Sequence, residues 1–107
     1  MRFDALELSL DTIQSLRPVH HAIRSRDPAL AKQLRDAASS VALNVSEGSR
    51  RSGRDKLHLW SVAAGSAEEV RTALRVARAW GYLNEARARD TLALVDRLQA
   101  VLWKLTH

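Results

Sequence analysis

Apolar residues recur at steps of three and four in four stretches of this chain, and only short breaks separate the stretches. That spacing puts one greasy stripe on each of four α-helices. The first stripe is Phe3, Leu6, Leu10, Ile13, Leu16, Val19 and Ile23, over about Asp4 to Arg24. The second is Leu30, Leu34, Ala37, Val41 and Val45. The third, nearly heptad in spacing, is Leu57, Trp60, Ala63, Ala67, Val70, Leu74 and Ala77. The fourth is Leu92, Val95, Leu98, Leu102 and Leu105. No alternating strand pattern or internal repeat competes. Short connections force sequential helices to run antiparallel, so the expected fold is all-α, an up-down-up-down four-helix bundle.

The breaks carry their own signals. Asp27 followed by Pro28 caps and opens the second helix. Gly48 reads as a left-handed stop, and Ser52 with Asp55 as a variant capping box. Gly81 ends the third helix, with Tyr82 able to cover its last turn. Asn84 caps the fourth helix. Pro18 removes a backbone donor inside the first helix and is expected to kink or divide it.

At 107 residues with 46% hydrophobic content, residues 1–107 form one domain. There is no cysteine, which rules out a disulfide framework and thiolate chemistry. The start of the chain lacks a signal-peptide pattern, and no apolar run is long enough to cross a bilayer. These features lead to the expectation of a cytoplasmic protein that does not enter membranes. The net charge of +5 and pI of about 10.7 favour polyanionic partners such as RNA or DNA.

Polar groups interrupt the stripes of helices two and three. Asn44, Glu47, Ser66 and Glu69 sit among core-forming residues, where a buried polar group needs a partner. If Glu47 faces Arg54 across the turn, Arg35 lies level with Ser66. Glu69 is then one turn away, about 4.5 Å along the axis. The expected network pairs Arg35 with Glu69, assisted by Ser66, and places Glu47 near Arg54 and Asn44 near Ser61. Gly65 in a helix interior costs about 1 kcal/mol, and close approach of another backbone would explain it. Two carboxylates and an asparagine could in principle perform acid–base chemistry. Each carboxylate has an arginine beside it, which favours a structural ion pair over catalysis.

The pieces Gln33-Leu34-Arg35-Asp36-Ala37-Ala38, Ser40-Val41, Asn44-Val45-Ser46-Glu47-Gly48, Gly65-Ser66-Ala67-Glu68-Glu69 and Gly81-Tyr82-Leu83 occur in this order. Together they resemble the bacterial four-helix-bundle family first noted as reading frames within intervening sequences of large-subunit ribosomal RNA genes. The match covers about half the chain. The accessory variability determinant of diversity-generating retroelements resembles the same bundle. The resemblance implies a non-catalytic accessory protein without cofactor, built as a homo-oligomer, most simply a homopentamer. It further implies binding to RNA or DNA and a reverse transcriptase as a possible class of partner. Asp36 departs from the pattern, standing where members often carry a basic residue.

Two basic surfaces could meet phosphates. One is the turn cluster Arg50, Arg51, Arg54 and Lys56. The other is a ladder on helix three, Arg71, Arg75 and Arg78, with Arg87 and Arg89 at the start of helix four. Glu68 and Asp90 dilute the ladder, so a salt-bridged solvent face competes with the phosphate reading there. Helix four carries Leu94, Val101 and Trp103 off its core line, which points to a second buried face and self-association. His20, His21, His58 and His107 lack metal-site spacing. Trp60 and Trp103 should sit at similar heights and pack into the core. A scaffold that grips an acidic protein is the alternative function.

Overall fold

The computed structural model describes residues 4–107. Four helices make up nearly all of it: α1 (Asp4–Arg24), α2 (Pro28–Ser49), α3 (Gly53–Ala79) and α4 (Glu85–Thr106). They form an antiparallel bundle 42 Å long in which each helix packs on its sequence neighbours and α1 closes against α4. There is no strand among the described residues. The core runs from one end, around Leu16, Ile23, Leu34, Leu74 and Val95, to the other, around Val41, Val45, Ala67, Leu98 and Leu102.

The turns follow local chemistry. The Asp27 side chain accepts from Leu30 N at 3.0 Å, and Pro28 occupies the first helical position, where no donor is needed. Gly81 has φ +80, and the Tyr82 N–H returns to the Ala77 carbonyl at 2.9 Å, closing α3 in the manner of a Schellman turn. The Tyr82 hydroxyl also donates to Asp27 at 3.3 Å, so one carboxylate ties both turns at this end together. Asn84 caps α4 through Arg87 N at 2.8 Å.

Several expectations are corrected. Pro18 does not divide α1, which is continuous across it. Burial of Leu16, Val19 and Ile23 on either side holds the segment while only one helical bond is lost. Gly48 is helical, with no positive φ, and α2 continues to Ser49. Its lack of a side chain matters for packing instead: a Cβ there would lie 2.6 Å from Trp60 Cδ1. Ser52 precedes α3 without any side-chain capping bond, so the Ser52–Asp55 box does not form. Gly65 has nothing within 4 Å of where its Cβ would sit, so no other helix among the described residues approaches it closely.

The stripe on α1 also shifts. Its buried face in the first half is Ala5, Ser9 and Thr12, while Leu10 is exposed. Ser9 and Thr12 enter the core because each hydroxyl donates to the carbonyl four residues back, both at 2.7 Å. Phe3, the first position of the predicted stripe, lies outside the described residues. Leu57, at the start of the third stripe, is exposed as well.

Candidate nucleic-acid interface

The register of α2 against α3 decides where the basic residues stand. Trp60 Nε1 donates to the Val45 carbonyl at 3.2 Å, and the Ser40 and Ser66 hydroxyls meet at 2.8 Å. Ser66 is therefore level with Ser40, not Arg35, a displacement of about one and a half turns. The cause is the length of α3. Its first residues extend past the end of α2 rather than facing it. On the other side Gln99 pairs with Glu68 at 2.6 Å and Asp96 with Arg71 at 2.9 Å, which sets Trp60 level with the end of α4. The first turn and a half of α3 thus projects beyond both neighbours. Arg54, Asp55, Leu57 and His58 are exposed there.

This register corrects the expected polar network. Arg35 and Glu69 are both exposed and make no ion pair with each other. They lie on opposite flanks of α2: Arg35 borders the groove toward α1, and Glu69 borders the one beside Leu30 and Gln33. Glu47 pairs with Arg51 at 2.8 Å and not with Arg54. Asn44 turns along its own helix, donating to the Ser40 carbonyl at 2.9 Å and to Ser40 Oγ at 3.0 Å, not to Ser61. The Ser40 hydroxyl accepts from Asn44 and shares a hydrogen bond with the Ser66 hydroxyl, in which either oxygen can be the donor. The polar layer is therefore a relay of Asn44, Ser40 and Ser66. Ser40 is the member that sequence reasoning missed; its place four residues before Asn44 was the available signal.

At the projecting tip the four expected bases divide. Arg51 is held by Glu47, and this contact, first as a hydrogen bond and then as charge attraction, lowers the Glu47 pKa and raises that of Arg51. Lys56 lies over the Trp60 ring, 5.2 Å from its centroid. Arg50, whose backbone N–H closes α2, and Arg54 make no side-chain hydrogen bond or ion pair among the described residues. Two guanidinium groups thus extend from the tip, each a planar fork suited to phosphate.

The ladder on α3 is occupied differently. Arg71 bridges to Asp96 at 2.9 Å and Arg78 to Glu85 at 3.1 Å, so both arginines join α3 to α4. Arg89 meets its neighbour Asp90 at 3.3 Å. Arg75 alone of the three ladder residues makes no side-chain ion pair. The salt-bridged reading describes this surface, and the tip is the less neutralised of the two.

The tryptophans separate as well. Trp60 is half-buried, while Trp103 is 60% exposed and stacks on His107 with centroids 4.3 Å apart. Trp103 therefore does not pack into the core as expected. Trp80 is 69% exposed. Leu94 and Val101 on α4 are half-buried, and Leu43 on α2 is 69% exposed. No group of three or more His, Asp or Glu side chains among the described residues converges as a metal site. No described helix is long and apolar enough to cross a membrane.

Comparison with known proteins adds a family and a fold. The sequence profile of a family described as "23S rRNA-intervening sequence protein" matches residues 4–104. A crystal structure of a protein of unknown function, from the S23 ribosomal protein family of Bacteroides thetaiotaomicron VPI-5482, superposes with a TM-score of 0.85. That alignment covers 95% of this chain and 97% of the other at 14% identity, which is a likeness of fold. No curated protein matches the sequence.

Proposed function

The chain belongs to the 23S rRNA-intervening sequence protein family, and from that premise we propose a non-catalytic accessory protein of the cytoplasm that assembles from several copies and holds nucleic acid by its phosphates. The observation that carries this reading is the projecting tip, where Arg50 and Arg54 have no side-chain partner among the described residues, while on the other arginine-rich surface Arg71, Arg78 and Arg89 meet carboxylates and Arg75 and Arg87 do not. Phosphate contacts of this kind position a strand without reading its sequence. Trp60 is half-buried with Lys56 over its ring, so phosphate contact by the arginines is the expected mode, tolerant of sequence in RNA or DNA.

Self-association is supported by Gly65. A glycine inside a helix costs about 1 kcal/mol relative to alanine, and nothing among the described residues uses the space it leaves. A second copy packing closely there would use it. Leu43 on α2, Val62 on α3 and Trp103 on α4 supply exposed apolar surface. A homopentamer is the assembly that the family resemblance implies. Five copies at +5 each would carry roughly +25, with every tip repeated around the ring, so weak contacts would act together.

A titration of labelled single-stranded RNA and duplex DNA at low salt, with sedimentation of the same sample, tests the reading. Binding that weakens steeply with salt, by a species several chains in mass, supports it. A monomer with no affinity at low salt overturns it. The second reading, a scaffold for a protein such as a reverse transcriptase, is favoured by the groove described next.

A further inference from the structure

Midway along the bundle the seam between α1 and α2 opens into a groove of about 770 Å³. Its floor is aliphatic: Leu16 and Leu34, both buried, with Ile13 and the small Ala38. Ala38 and Ser39 leave the space because neither has a side chain long enough to fill it. The charged residues of the rims, Arg17 and Arg35, are of one sign. Arg17, His20 and His21 stand on the α1 side and Arg35 on the α2 side, and no carboxylate lines the groove. Neither arginine makes a side-chain hydrogen bond or ion pair among the described residues. Asp36, the carboxylate next to Arg35 in sequence, is held by Lys32 at 2.7 Å.

We propose that this groove is a docking site for an acidic amphipathic helix of a protein partner. The shape and the chemistry select that occupant together. A cleft between two neighbouring helices takes a third helix lengthwise, with apolar residues at i, i+3/i+4 and i+7 on its floor. The lining from Ile13 to His21 spans about 12 Å along α1, room for roughly two helical turns of contact. Cationic side chains on both rims call for carboxylates on both flanks of the apolar stripe. A nucleic-acid strand fits less well, because an aliphatic floor offers its phosphates nothing. A small anion would leave most of the floor wet. This site lies on α1 and α2 away from the tip and does not rest on the nucleic-acid reading.

The probe is a fluorescein-labelled synthetic 14-residue helical peptide with leucines along one stripe and glutamates on both flanks; the control carries lysines in place of the glutamates. Anisotropy with the full chain is expected to give a Kd on the order of 10–100 μM for the acidic peptide. The lysine peptide is expected to bind at least about tenfold more weakly. Arg17→Glu with Arg35→Glu is expected to reduce affinity for the acidic peptide about tenfold or more. Both residues are exposed, and helicity measured by circular dichroism confirms folding. Ser39→Trp, which fills the groove without altering charge, should block binding too. Arg50→Glu with Arg54→Glu should leave peptide binding unchanged while weakening RNA binding, so the two proposals fail separately. Equal binding of both peptides overturns the inference. So does full affinity in the Arg17/Arg35 variant, or absence of binding at about 1 mM peptide. It is also overturned if Ser39→Trp lowers the oligomer mass, which would make the groove a contact between copies. Loss of RNA binding in the Arg17/Arg35 variant, with peptide binding retained, would make it a nucleic-acid surface and equally refute the proposal.

Discussion

Replacing Gly48 by alanine sets two effects of opposite sign against each other, and the structure says which is larger. Gly48 lies inside α2, where alanine should stabilise a helix by about 1 kcal/mol. The added Cβ would stand 2.6 Å from Trp60 Cδ1, 2.7 Å from its Nε1 and 3.3 Å from the Leu59 Cβ. The indole cannot swing away cheaply. Its Nε1 donates to the Val45 carbonyl one turn from Gly48, and Lys56 covers its face. Overpacking at such a site costs about 1–3 kcal/mol, and a displaced hydrogen bond about 1 kcal/mol more. After the helical gain, Gly48→Ala should destabilise the chain by about 1–3 kcal/mol, a fall in melting temperature of roughly 5–20 °C. Thermal and urea melts followed by circular dichroism measure this. Repeating the substitution on a Trp60→Ala background isolates the cause, because there the helical gain should remain and Gly48→Ala should stabilise. A Gly48→Ala protein as stable as the parent would refute the close contact with Trp60. A penalty that persists without the indole would refute its assignment to that ring.

Other outcomes follow from the same geometry. Glu69→Ala should change stability by less than about 0.5 kcal/mol in a urea melt, since Glu69 is exposed and unpaired with Arg35. Gly65→Ala should stabilise the folded monomer by up to about 1 kcal/mol yet weaken self-association, measured by sedimentation across a concentration series. Asn44→Ala should cost about 1 kcal/mol, because Ser40 loses one partner in its relay to Ser66. Arg51 lowers the folded-state Glu47 pKa below the ordinary value of 4.5. The resulting stability is present above that ordinary value and is lost as pH falls through the depressed one. A melting-temperature difference between the parent and Glu47→Gln should therefore exist near neutral pH and shrink in acid.

The helices and their order were legible because the apolar spacing in α2, in α3 from Ala63 onward and in the Val95, Leu98 and Leu102 run of α4 matches what is buried. Asp27-Pro28, Gly81 and Asn84 were legible for local reasons, since caps depend on residues next to one another. The first half of α1 was not. Ser9 and Thr12 look like surface residues until their hydroxyls are satisfied by the carbonyls four residues back. The polar layer was half legible. Asn44 and Ser66 do belong to one network, but its linking member is Ser40, and Arg35 and Glu69 stay outside it. The error was in register: reading the turn as a symmetric hairpin hid the extra turn and a half by which α3 projects. The same misreading set Arg54 opposite Glu47, when in fact Arg51 takes that carboxylate four residues along its own helix. Trp103 is a further case, since composition alone could not show an indole standing in solvent against His107.

The salt dependence of RNA binding, compared between the parent chain and Arg50→Glu with Arg54→Glu, tests the central claim most directly. The account expects a linear fall of log K with log salt, and in the variant a slope smaller by about two phosphate contacts per chain engaged, with oligomer mass unchanged. An unchanged slope and affinity in the variant would contradict it.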